Sequence, residues 1–187
     1  MNRISSNSIG IALVLLFIIA AIAIESCTSA ADRAELQKFR NEKALTEMRL
    51  VRFDSLDFDI YSNQKWDSFN ISHDENIKVY YPDGSITNGL NPQHLDALKP
   101  MFVFAPDTKI KSHPVRFGSG DWTAVIGEME GTFSQSMPIG NGISIPPTGK
   151  KFHLSMTTIG HWKDGKMMEE YLFWDNQSFM KQIGLAK

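Results

Sequence analysis

The sequence predicts an α+β fold, and three observations carry that prediction. Apolar residues recur every three to five positions between Leu45 and Ile60, the second half of the chain alternates in short runs, and Gly, Pro and Asp separate those runs. Helices come first and a series of antiparallel strands follows, so the helices are expected on one face of a bent sheet. The chain has 187 residues, enough for one domain with a real core. With 19 Lys plus Arg against 21 Asp plus Glu, and no run of five like charges, it carries no electrostatic footprint for nucleic acid.

The chain opens with an export signal. Ile9 to Ile24 is a run of sixteen apolar or Gly residues behind Arg3 as its basic group. A spanning helix usually needs about 20 such residues, so the run is slightly short, and a retained membrane anchor is the alternative. Cys27, the single cysteine, follows directly in the string IESC, so no disulfide can form within the chain. That string is similar to the lipobox of bacterial lipoproteins, with Glu25 departing from it. The similarity implies a signal peptide at 1–26, a lipidated Cys27, a tether at 27–43 and a place in the bacterial cell envelope, anchored to the membrane and facing the periplasm or exterior. A plain secretory signal with an incidental cysteine is the other reading.

The globular domain is expected over 44–187. Leu45, Met48, Phe53, Leu56, Phe58 and Ile60 give one apolar side to a helix or two short helices, and Trp66 and Phe69 close that region. ENIKVYYPDGSITNG alternates around a PDG turn and reads as a hairpin. Asn91 and Pro92 start a short helix with Leu95 and Leu98 on one face, and Pro100 is expected to kink or end it. Four strand candidates follow, starting at Thr108, Asp121, Lys151 and Lys166, the last two joined by a KDG turn. SMPIGNGISIPPTGK lacks periodicity and reads as a crossover or lid, and NQSFMKQIGLAK as a short closing helix.

Taken together, YYPDG, the HLDALK helix, GDWTAVIGEMEGTF, IPPTGK and GHWKDGKMMEEYLFWDN followed by QIGL resemble the SnoaL-like polyketide cyclase, or ester cyclase, family. The resemblance spans about Asp54 to Leu185. It implies the cone-shaped nuclear-transport-factor-2-like fold, a strongly curved antiparallel sheet against N-terminal helices, with a cavity between them. It further implies a small apolar or carbonyl-containing ligand, acid–base chemistry on an enolisable carbonyl without cofactor, and an open sheet that can form a homodimer. Such chemistry needs a carboxyl whose pKa is raised by apolar walls and a hydrogen-bond donor for the developing oxyanion.

The chain departs from the cyclase pattern at its expected acid. Where cyclases resemble Gly, Lys, two apolar residues, then Glu, His, Trp and Asp, this chain has Gly165 to Glu169 followed by Glu170, Tyr171 and Leu172. Alternation puts Met168, Glu170, Leu172 and Trp174 on one face of the last strand, and the resemblance turns that face into the cavity. Glu170 is therefore the candidate acid or base, weighed against a structural role in an ion pair. Asp175 is a second candidate if a bulge turns it inward, against capping the closing helix. Trp122 and Glu130 share a face of their strand and are candidate cavity residues, whereas the polar stripe His153, Ser155, Thr157 and His161 is expected to face water.

His73, at a helix-to-strand junction with Tyr81 nearby, could donate to a substrate carbonyl or be merely hydrated. The five histidines, at 73, 94, 113, 153 and 161, show no close metal-binding spacing, so no metal site is expected. No serine-hydrolase elbow, P-loop or dinucleotide fingerprint is present. Three functions stay open: an acid–base enzyme built on Glu170, a non-catalytic receptacle for an apolar ligand, and an interaction module that uses the open sheet.

Overall fold

The computed structural model describes residues 29–187. The export signal and Cys27 lie outside the described residues. Helix α1 spans Ala30–Ser55, longer than the periodicity suggests. A reciprocal cap starts it: Asp32 N–H donates to Ser29 Oγ and Ser29 N–H to Asp32 Oδ2, both at 3.0 Å. Residues 29–42 are exposed throughout and belong to a separate unit from Lys43–Lys187. Among the described residues no helix is long and apolar enough to cross a membrane.

Within Lys43–Lys187, the last turns of α1 bury Arg49, Leu50 and Phe53. The buried Arg49 guanidinium donates to the Gly120 carbonyl and to Asp121 at 2.8 Å, tying the helix to the turn before the strand that starts at Trp122. A π-helical turn, Leu56–Tyr61, continues α1, and its wider winding buries Asp57 beside Leu56, Ile60 and Tyr61. A 3₁₀ turn at Trp66–Ile71 buries Phe69 and delivers the chain to β1, His73–Tyr80. The PDG turn forms as predicted, with Asp83 accepting from Ser85 N–H and Oγ–H, and leads to β2, Ile86–Asn88.

A short π turn at Leu90–His94 enters α2, Leu95–Phe104. Pro100 sits inside α2 without ending it, so of the two expected outcomes, a kink or a stop, the stop does not occur. Strands β3 (Lys109–Ile110), β4 (Val115–Ser119) and β5 (Trp122–Thr132) follow. The region read as an aperiodic crossover or lid contains a hairpin, β6 (Met137–Gly140) with β7 (Ile143–Ile145). Then come β8 (Lys151–Lys163), β9 (Lys166–Phe173) and α3 (Asn176–Gln182).

Seven strands form one sheet in the order β2-β1-β9-β8-β5-β3, with β4 also paired to β5. All pairs are antiparallel except β1 with β9. Asp164 and Gly165 turn between β8 and β9 with φ of 50° and 77°, the left-handed pair that suits a tight hairpin. The helices pack on one face of this curved sheet, as the sequence predicts. Their core joins Phe53, Leu56 and Ile60 to Ile77, Val79, Met129 and Leu172. Space is tightest at Gly118, where an added Cβ would lie 2.7 Å from the Trp122 carbonyl oxygen and 2.8 Å from Thr46 Cγ2. Gly118→Ala is expected to cost about 1–3 kcal/mol in urea unfolding, because β4 would have to move off α1.

Candidate active site

A cavity of about 460 Å³ lies between the sheet and the helices, with walls from Leu56, Phe69, Met101, Phe104, Met129 and Leu154. Into this mostly apolar space three elements project polar groups. Glu170 comes from the middle of β9, His73 from the first residue of β1, and His94 from the turn that enters α2; they are 5%, 2% and 1% exposed. His94 Nε2 lies 3.6 Å and His73 Nε2 3.7 Å from the same oxygen, Glu170 Oε2. These separations exceed a good hydrogen bond, and His73 Nε2 and Glu170 Oε2 are buried without a partner.

The far side of each imidazole is held. Tyr81 Oη is 2.9 Å from His94 Nδ1, and donation by the phenol puts the ring proton on Nε2, toward Glu170. His73 Nδ1 is 3.0 Å from Ser72 Oγ and 3.3 Å from the Phe69 carbonyl oxygen. Burial lowers the His94 pKa to about 4, so this ring is neutral at pH 7. Burial also keeps the Tyr81 phenol protonated, with its pKa pushed up to about 12. Burial works to raise the Glu170 carboxyl, yet His73 and His94 beside it outweigh burial and hold it below the usual carboxylate range. Glu170 is thus a carboxylate base and not the carboxylic acid that apolar walls alone would give.

A second polar chain reaches the cavity wall from outside. His113 Nε2 is 2.8 Å from Asp57 Oδ2, and its Nδ1 is 2.8 Å from Asp54 Oδ1, which also meets Arg116. Burial raises the Asp57 carboxyl although His113 opposes it. Burial disfavours a charged His113, but the two carboxylates outweigh it and its pKa rises.

Glu170, Leu172, Trp174, His73 and Tyr81 all line the cavity, so these sequence-selected residues converge. Trp122 and Glu130 do not. In β5 the buried set is Thr123, Val125, Gly127, Met129 and Gly131, and the Trp122 face points away. Trp122 stacks there on His161 with ring centroids 4.3 Å apart, and Glu130 pairs with Lys111. Parity identified the residues that share a face but not the side that face would take. Met168 also leaves the Glu170 face, because a bulge between His161 and Trp162 pairs Trp162 with Met167 and skips it.

Asp175 is exposed and outside the cavity wall, and its Oδ1 accepts from Ser178 N–H at 2.9 Å as the cap of α3. Its proposed catalytic use is corrected to capping. Asp175→Ala is expected to lower stability by about 1 kcal/mol and to leave turnover unchanged, which paired melting and rate measurements check.

Sequence reading missed His94, Asp57 and His113 as site residues. His94 had a usable signal, four residues from both Leu90 and Leu98 and therefore on the apolar side of its helical turn. Asp57 had the same kind of signal, four residues from both Phe53 and Tyr61. The spacing argument against a metal site also fails: His73, His94 and Glu170 come from distant positions, yet their ligand atoms lie within 4.8 Å of one another.

Comparison with known proteins places this geometry in context. The sequence profile of the SnoaL-like polyketide cyclase family matches residues 55–183. No curated protein matches the chain by sequence. A candidate SnoaL-like polyketide cyclase from Jannaschia sp. CCS1 superposes with a TM-score of 0.65 at 16% identity, over 76% of this chain and 96% of its own. IdmH, a candidate polyketide cyclase from Streptomyces antibioticus, gives 0.61 at 19% identity over 73% and 98%. A candidate polyketide cyclase from Xanthomonas campestris pv. campestris gives 0.64 at 12% identity over 75% and 99%. At these identities the structural likeness speaks for the fold.

Proposed function

The chain belongs to the SnoaL-like polyketide cyclase family, and from that premise we propose that it binds a small, largely apolar carbonyl compound and transfers a proton at the carbon beside the carbonyl. One observation carries the reading: a buried, unpartnered carboxylate oxygen of Glu170 facing two imidazoles inside an apolar cavity. Glu170 takes the α-proton. The enolate oxygen that forms accepts from His94 Nε2–H, which the phenol at Nδ1 makes a stronger donor, and from His73 when Ser72 Oγ–H occupies its Nδ1. Return of the proton to a different carbon of a conjugated enolate, or to its opposite face, gives isomerisation; attack of the enolate carbon on a second carbonyl closes a ring, and the alkoxide so formed takes the proton from Glu170. Neither outcome moves electrons to or from an external partner.

Leu172 stands where the cyclase pattern has its acid and lines the cavity. That observation favours a second reading, a receptacle that binds the same class of compound without reacting. The string around Cys27 adds a proposal of place, anchored at the bacterial envelope, where either role would act on apolar compounds near the membrane. Deuterium uptake at the α-carbon of a panel of apolar ketones in D₂O, followed by proton NMR, separates the readings. Uptake above the buffer rate supports catalysis; saturable binding with no uptake supports the receptacle.

A further inference from the structure

We propose that His73 Nε2, His94 Nε2 and Glu170 Oε2 form a binding site for one divalent transition-metal ion of the zinc, cobalt or iron(II) class. The donor set is two imidazole nitrogens and one carboxylate oxygen, converging within 4.8 Å from three separate elements. Ligands at about 2.1 Å from a common tetrahedral centre stand about 3.4 Å apart. The Nε2 to Oε2 distances of 3.6 and 3.7 Å need only a small contraction to meet that value and are too long for direct hydrogen bonds, while the two imidazoles, with ligand atoms within 4.8 Å of each other, close further on the ion by side-chain rotation.

The atoms aimed at this point include the buried orphans. His73 Nε2 and Glu170 Oε2 have no hydrogen-bond partner although their side chains are 1% and 7% exposed. Leaving such groups unpaired is costly, and a cation bonded to both removes the cost. The opposite ring nitrogens are already held in the manner of metal-ligating histidines. The Phe69 carbonyl at 3.3 Å can only accept, which suits a proton on His73 Nδ1 and a bare Nε2 toward the ion. The Tyr81 oxygen, 2.9 Å from His94 Nδ1, can accept from that nitrogen as readily as donate to it. Mixed nitrogen and oxygen donors favour the borderline transition metals over magnesium or calcium, which prefer all-oxygen sets.

Three protein ligands leave at least one position open toward the cavity, as in catalytic metal sites. The proposal rests on the same three side chains as the proton-transfer reading and deepens it. An ion there takes the carbonyl oxygen in place of the Nε2–H groups, and the second oxygen of Glu170 stays available for the proton. This replaces the cofactor-free form of the chemistry that the family resemblance implies.

The test uses the full-length chain, stripped with a chelator and titrated with Co²⁺ by visible absorption and with Zn²⁺ by calorimetry. One equivalent is expected to bind, with the visible bands of four- or five-coordinate cobalt. Glu170→Gln and His94→Gln are each expected to weaken binding by about 100-fold or more, and Tyr81→Phe by about 10-fold through the outer partner. Binding far below one equivalent by the wild-type chain overturns the site, whatever the variants do, as does full affinity in folded Glu170→Gln and His94→Gln. α-Deuterium uptake by the stripped chain keeps the two readings apart. Uptake without metal binding overturns the metal site alone, and one bound ion without uptake, stripped or loaded, supports the site while overturning proton transfer.

Discussion

Glu170→Gln is expected to lower α-proton exchange on any ketone the chain processes by about 10²–10⁴-fold, the range for loss of a positioned general base. The substitution keeps the shape of the side chain and removes only its charge and basicity. The Glu170 side chain is 7% exposed, and His73 and His94 hold its carboxyl below the usual carboxylate range, so the folded chain favours the charged form and the neutral amide is expected to lower stability modestly. Lost exchange in a variant that still unfolds cooperatively is the expected pair of results. A purely structural ion-pair role for Glu170 predicts stability lost and exchange retained.

His113→Ala is expected to destabilise the chain by about 3–5 kcal/mol in urea unfolding, the cost of breaking a buried pair from one side. Its imidazole is 1% exposed and bonds Asp54 and Asp57 at once. Truncation strands the Asp57 carboxylate, which is 7% exposed, against Leu56 and the cavity wall. The same pair gives stability a pH dependence. The His113 pKa is raised on folding, so its contribution is fully present below the ordinary imidazole value of about 6.5 and is lost as pH rises through the raised value. Asp57 acts in the same sense, because its raised carboxyl is penalised once ionised. As pH rises above about 6.5, the wild-type urea midpoint should fall relative to that of His113→Gln, the contribution of His94 being common to both.

Much of the fold was legible because local signals and tertiary packing agree in it. The PDG and KDG turns, the alternation of the strands and the helical spacing up to Ile60 each marked an element that formed. In the site, Glu170 and Leu172 were legible because the short strand β9 stays regular between them. The failures have specific physical causes. Trp122 and Glu130 were assigned to the cavity because alternation is symmetric about a strand, and only the packing of Val125 and Met129 against the helices breaks that symmetry. Pro100 left a kink and a stop both open, and α2 runs on through it, with Phe102 and Phe104 buried beyond. Asp54, Asp57 and His113 looked like ordinary polar positions. Asp57 stands at helical spacing from Phe53 and Tyr61, but its meeting with His113 depends on the loop before β4, which leaves no periodic trace. The cluster of His73, His94 and Glu170 spans nearly a hundred residues, so spacing rules for metal ligands could not reveal it.

A crystal structure with an apolar β-diketone bound shows whether a carbonyl group sits among His73, His94 and Glu170. The diketone is expected inside the cavity, one of its oxygens held by His94 Nε2, by His73 Nε2 or by an ion between them. Its α-carbon should lie about 3–3.5 Å from a Glu170 carboxylate oxygen. A diketone seated in the cavity with its oxygens turned away from all three side chains, or held instead by Asp57 and His113, would contradict this placement.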